Sequence, residues 1–288
     1  MPVGGKPTVR SRRLGVALRR HREAAGLDQA AAAEAIIKSV SKVSRAESGH
    51  VSVSALEVRT LLDRYGVTDE NERARLVGWA RTSNERGWWV DYEETLRPYY
   101  ADHITLESDA TYILSWDPVL IPGLLQTAQY AEKVITVGPT FVGEAEAAEL
   151  VEVRMQRQRR IDEGTVQYTA IIWEPAINAL ADGSEVYTDQ LQHLLKVGRR
   201  QNVTLQILPA SAFLTATMSD AFTAFSYGVE PYAEVVTLRT PVNTAVIETP
   251  DDLAIYANVF NRLRSAALSP TQSARRIRQA LDNKDQQT

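Results

Sequence analysis

The sequence predicts two domains: an all-α N-terminal domain of about five helices over residues 1–86, and a larger α+β domain with an antiparallel sheet over residues 87–288. Three observations predict it. The length of 288 residues exceeds the usual ~100–200 per domain. The formal net charge of −4 hides a division, since residues 1–86 carry 16 Lys+Arg against 10 Asp+Glu (+6) and residues 87–288 carry 16 against 26 (−10). Helical periodicity holds throughout the first segment, whereas short β-rich runs bounded by turn residues enter only in the second.

Along the first segment, Leu14, Ala17, Leu18 and Ala25 share one face of a helix from Ser11 to Ala25, and Gly26 stands as its stop. Asp28 is a good N-cap for a second helix to Ile36 or Ile37, with Ala32, Ala33 and Ile36 inward. Ser39 can cap a short third helix, Val40–Glu47, with Val43 and Ala46 inward and Ser48-Gly49 at its end. A fourth runs from Ser54 to Tyr65 and ends at Gly66; a fifth follows Asp69, which with Glu72 suits a capping box. A β-branched residue resists positive φ, so Ile37 and Lys38 predict a helical or rearranged turn between the second and third helices.

Helix, tight turn and short polar helix, Gln29 through Gly49, is a spacing that lets the short helix lie in a DNA major groove while its predecessor crosses the backbone. Gly26, Leu27, Gln29, Ala33, Ser39, Ser41, Val43, Ser44, Arg45, Glu47 and Gly49 follow without a gap a pattern similar to that of the lambda-repressor-like, XRE-type helix-turn-helix family. The resemblance implies a helix-turn-helix domain that binds double-stranded DNA. It places Ser39, Val40, Ser41, Ser44 and Arg45 against base edges or flanking phosphates. Arg45 can pair bidentately with guanine, the alternative being a salt bridge. Val40 can touch a thymine methyl or pack inward. Gln29 is a phosphate contact or a cap partner, Lys42 a phosphate contact or a solvated charge, and Glu47 structural. Behind Lys6, Arg10, Arg12 and Arg13 form a basic arm that either tracks phosphate or enters a minor groove, or is disordered.

Beyond Gly87-Trp88-Trp89, the tryptophans with Tyr92, Tyr99 and Tyr100 read as a packing seam. Strands are expected at 166–173, 203–208, 221–227, 233–238 and 244–248, the last three as an antiparallel meander. Helices are expected at 126–135, 144–161, 189–198, 251–267 and 271–281. Pro122 and Gly123 set a chain reversal, read as structural. Arg154, Arg157 and Arg160 share one face of a long helix, read as solvated or meeting an acidic partner. Ile121–Thr127, Tyr130-Ala131, Arg154, Arg157, Gln158, Trp173-Glu174, Gln190-Leu191, Asn202-Val203, Leu208-Pro209 and Leu263–Leu268 are similar to the body of the actinobacterial WhiJ-like, antitoxin-like regulators. That resemblance implies a transcription factor whose body senses a small protein encoded by a neighbouring gene, or a small-molecule effector.

With no cysteine, disulfide frameworks, thiolate metal sites and cysteine nucleophiles are excluded. His21, His50, His103 and His193 lack metal-ligand spacing, and Gly-x-Ser-x-Gly and phosphate-cradling glycine motifs are missing. No catalytic set, metal or cofactor is expected, and the chain is read as not an enzyme. No stretch approaches the ~18 apolar residues of a membrane span, and the start lacks a signal-peptide core, so a cytoplasmic, nucleoid-associated address is expected. The leading expectation is a homodimeric regulator on a pseudo-palindromic operator. Two others stand beside it: an antitoxin-like module that masks a small partner with little specific DNA binding, and a body that acts as an enzyme or small-molecule receptor.

Overall fold

Four helix ends in the N-terminal segment of this computed structural model are built alike. At Gly26, Ile37, Gly49 and Gly66 the chain turns left-handed, with φ of 68°, 55°, 78° and 72°. Each of these residues donates its N–H to a carbonyl three residues back, and the next residue donates to one five back, as in Lys38 N–H to the Ala33 carbonyl at 2.9 Å. This is the Schellman arrangement, which satisfies carbonyls a helix end would otherwise orphan. Three of the positions are glycine, which takes positive φ without strain. The fourth corrects the expectation of a rearranged turn: Ile37 adopts the left-handed conformation, its side chain 89% exposed, because two hydrogen bonds offset the steric cost.

The structure describes residues 9–82, 87–138, 143–179, 184–228, 230–240 and 242–282. The chain divides into two compact units, Met1–Val90 and Asp91–Thr288. Lys6 and residue 86, where the sequence places the domain boundary, lie outside the described residues.

Unit 1 holds α1 (Val9–Ala24), α2 (Gln29–Ala35), α3 (Val40–Glu47), α4 (Ala55–Arg64) and α5 (Glu70–Thr82). Leu14, Leu18, Ala32, Val43, Val58, Leu62 and Leu76 make one core, as helical spacing requires. Gly15 brings α1 onto the end of α3 so closely that a Cβ there would stand 2.4 Å from the Ala46 carbonyl oxygen. The capping box forms at Ser54 and Glu57, not at Asp69. Asp69 does cap α5, but the Glu72 carboxylate turns to Arg20, His21 and Arg75 instead of back to the cap.

Unit 2 is built on a six-stranded mixed sheet of β1 (Tyr112–Asp117), β2 (Gln167–Trp173), β3 (Val203–Leu208), β4 (Phe222–Ser226), β5 (Val235–Arg239) and β6 (Thr244–Ile247), in the order β3-β2-β1-β4-β5-β6. β4, β5 and β6 form the expected antiparallel meander. β1, β2 and β3 are parallel to one another, so the sheet is mixed, antiparallel from β1 through β4 and β5 to β6. Parallel neighbours need long crossovers, and these are α7 (Ala128–Thr136) with α8 (Glu144–Asp162), then α9 (Glu174–Asn178) with α10 (Glu185–Val197). β1 was not foreseen as a strand, nor α6 (Pro98–Asp109) as a helix. Trp116 on β1 is wholly buried, packed with Phe222, Val236, Phe260 and Leu263 on the sheet face covered by α12 (Pro250–Ala266). α13 (Pro270–Asp282) follows, and Ser273 there ties itself to β3 through the Ile207 N–H.

The arginine face of α8 is interior, which corrects the solvated reading. Arg157 is buried and grips Glu107 of α6 with Nε and Nη2, at 2.7 and 2.6 Å. Arg160 donates to the Glu107 and Ala110 carbonyls at the end of α6, both at 2.7 Å. Helical spacing put these residues on one face, but only the packing of α8 on α6 decides that this face is inside. The 121–127 reversal is structural: Gln126, Gln158 and Gln190 all donate to its backbone carbonyls, at 2.7–3.0 Å.

Candidate nucleic-acid interface

α3 has two sides of different chemistry. Val43, Ala46 and Glu47 are buried, whereas Val40, Ser41, Ser44 and Arg45 face solvent. Ser39 caps the helix by accepting the Lys42 N–H at 3.2 Å, and so fixes where the exposed side begins. Val40 is 46% exposed, so it does not serve the core; with Ile37 it sets two apolar groups at the front of the helix beside three hydroxyl side chains. Arg45 makes one long contact, Nε–H to the Ser41 carbonyl at 3.4 Å, and no ion pair among the described residues.

Beneath this surface lies a buried anion with three donors. Glu47 accepts from Arg22 Nε at 2.6 Å, Arg22 Nη2 at 2.9 Å and Gln29 Nε2 at 2.9 Å. Arg22 also donates to the Leu27 carbonyl at 2.8 Å, so α1, the α1–α2 turn, α2 and α3 are tied through one carboxylate. The bond to Glu47 raises the Arg22 pKa against the opposing effect of burial. The Gln29 amide is therefore committed inside the unit. A buried pair of this kind contributes less to stability than to fixing one arrangement, here the angle of α3.

Other cations expected at DNA are also committed. Lys42 Nζ lies 2.5 Å from Glu57 Oε1, while Glu57 Oε2 takes the Ser54 N–H that closes the α4 capping box. Burial pushes the Glu57 carboxyl up, but Lys42 and the Ser54 bonds outweigh it and hold its pKa below the ordinary value. The basic arm is helical from Val9 on. Arg13 is buried with its guanidinium 4.4 Å from the Trp79 ring centre, and Arg10 stands 5.7 Å from that of Trp89. Arg12 lies where Gly49 meets α1, and a Cβ on Gly49 would come within 2.7 Å of the Arg12 backbone. The sequence carried a signal for Glu57, the Ser54-x-x-Glu57 spacing. It carried none for the pairings of Arg13 with Trp79 or Gln29 with Glu47, which join distant segments.

The comparison with family models agrees with this division. Residues 13–76 match a family described as a helix-turn-helix domain, so the N-terminal unit is of a kind that binds DNA. Residues 100–279, more than half of the chain, match a family described as a domain of unknown function (DUF5753). The chain belongs to the DUF5753 family. No curated protein and no solved structure matches it. In the DUF5753 unit, as in the first, no described helix is long and apolar enough to cross a membrane.

Proposed function

We propose that this DUF5753 protein is a sequence-specific transcriptional regulator of the XRE type, akin to the WhiJ-like, antitoxin-like regulators. In this reading α3 lies in the major groove, with Arg45 paired to a guanine, Val40 and Ile37 against thymine methyls, and Ser39, Ser41 and Ser44 on base edges or phosphates. The observation that carries the reading is the exposed side of α3, where Arg45 stands without an ion pair among the described residues while Lys42, Gln29 and Arg13 are held inside. Sequence discrimination then rests on α3, and the non-specific phosphate term rests on other exposed cations, Arg12 and Lys38 among them. One short helix reads few base pairs, so a homodimer on half-sites about 34–36 Å apart completes the reading. The DUF5753 unit carries the control, through a small partner protein or a ligand.

Footprinting of the purified protein on its own upstream region, at two salt concentrations with non-specific competitor, tests this. A competitor-resistant site with two half-sites is expected. The exposed Ile37 and Val40 favour one other reading, in which this apolar front is masked by a small protein encoded nearby. A stable complex with that protein and no footprint would establish it instead.

A further inference from the structure

One end of the unit 2 sheet gathers polar groups that the fold itself does not use. On the face that α6 covers, strand register aligns Ser115, Thr223 and Thr237 across β1, β4 and β5, and Thr237 Oγ1 lies 3.1 Å from His103 Nδ1 of α6. Two residues further along, the same face carries Asp117 on β1 and Arg239 on β5, and Arg239 stands directly opposite Thr244 of β6. Between Asp117 and Arg239, one step past the last β1–β4 pair, comes the small residue Ala221. The two strands are two spacings apart, about 10 Å, a gap that an arginine and a small ligand can bridge.

Ser115, Thr237 and His103 are hydrogen-bonded, whereas the groups further along are not. Neither the half-buried Asp117 carboxyl nor the exposed Arg239 guanidinium makes a hydrogen bond or ion pair among the described residues. Thr244 Oγ1 and Arg154 Nε are buried without a hydrogen-bond partner, although Arg154 is anchored by Nη1 to Gln126 Oε1 at 2.7 Å. Unpaired buried polar atoms are costly, and both of these have Arg239 as a neighbour: Thr244 stands across the strand from it and Arg154 feels its charge. The charge balance gives the sign of a partner. Arg154, Arg157 and Arg239 all act on the Tyr100 hydroxyl, and Glu107, the nearby carboxylate, is already spent on Arg157. Burial pushes the Asp117 carboxyl up to about 7 against the pull of Arg239, so it offsets these cations only in part near neutral pH; Tyr130 and Tyr168 are the other titratable groups that feel it. A cluster of cations on a domain of net negative charge is matched by an anion.

We propose that Arg154, Arg239 and Thr244 bind a small oxyanion ligand, a carboxylate or a phosphate ester, at this end of the sheet. The site rests on unit 2 alone and does not depend on the operator reading; melting experiments without DNA separate the failure of one from the failure of the other.

The test is thermal unfolding of the full chain titrated with inorganic phosphate and, separately, with malonate, against chloride at matched ionic strength. A saturable rise of several °C with either probe is expected, about 5 °C or more at 100-fold over Kd. A response to phosphate alone assigns a phosphate ester, and one to malonate alone assigns a carboxylate. Arg239→Gln, at an exposed position, should weaken the response at least 10-fold without changing the melting point of the free protein, and Thr244→Val should weaken it as much while raising that melting point, because it removes a buried unpaired hydroxyl. Arg154→Gln should abolish the response, but it also loses the bond to Gln126. No saturable shift with either probe, or an undiminished shift in Arg239→Gln, overturns the proposal.

Discussion

Ile37→Gly is expected to stabilise unit 1, although it removes a large apolar side chain. At φ 55° a residue with a Cβ pays about 1–2 kcal/mol relative to the right-handed helix. Glycine escapes that cost but loses about 0.5–1 kcal/mol through the greater freedom of its unfolded chain. Burial contributes little to the comparison, because Ile37 is 89% exposed and Ile36 is the one packed against the core. The net gain is about 1 kcal/mol, and the Schellman bonds to the Glu34 and Ala33 carbonyls are retained. With a denaturant slope of about 1 kcal/mol/M for a small unit in urea, the midpoint should rise by about 1 M. Tryptophan fluorescence of the full chain, checked by amide exchange in α2 and α3, reads the change. Ile37→Ala is the control, since its Cβ keeps the penalty and the midpoint should stay within about 0.3 M. A midpoint for Ile37→Gly equal to or below that of the parent would refute the argument that Ile37 is strained.

Four further outcomes are expected. Gly15→Ala should destabilise unit 1 by about 1–3 kcal/mol in urea unfolding, because its Cβ would meet the Ala46 and Glu47 backbone at 2.4–2.7 Å. Glu47→Gln should cost about 3 kcal/mol or more, since Arg22 is left buried without its counter-charge. Arg45→Ala should lose about 1–3 kcal/mol of preference at one base position in competition binding, whereas Lys42→Met should chiefly lower stability, because its charge serves Glu57. Burial depresses His103 to about 4, and Glu107 lies near 2 despite burial, through Arg157 and His103. Both groups bind protons more readily when unfolded, so the stability they confer is full above about pH 6.5 and is lost as pH falls, first through His103 and then through Glu107. In His103→Gln the fall in unfolding midpoint between pH 6.5 and 4 should shrink; an unchanged fall would remove His103 from this account.

Local signals were enough for the helices of unit 1, the caps at Asp28 and Ser39, and the glycine stops, because each acts within one turn of helix. The meander was equally legible, since β4, β5 and β6 are close in sequence and joined by short turns. β1 was not. Ser115 and Asp117 interrupt its short apolar run, and Pro118 follows at once, so neither a long run nor a clean alternation marks it. α6 was obscured by Pro98 and its aromatic start; the proline in fact occupies the first turn, where its missing N–H costs nothing. Of the interface residues, the sequence placed Ser41, Ser44 and Arg45 on one helix face through the 3.6-residue period alone.

The tertiary structure decided what each charge and amide meets. Lys42 and Glu57 are 15 residues apart, Gln29 and Glu47 18, and Arg157 and Glu107 50, and no local window links them. Whether a cation is spent on an internal carboxylate or left for a partner depends on distances of a few ångströms, which only packing sets. For the same reason the sequence named Arg154 but not Arg239, whose charge it feels in the fold. The parallel half of the sheet was also out of its reach, because its pairings close over crossovers of many tens of residues. By itself the sequence determined the helices of unit 1, the meander and which of their faces are apolar, through the backbone's short-range geometry. The folded chain decided which of those faces become surface, and which polar groups remain there to bind.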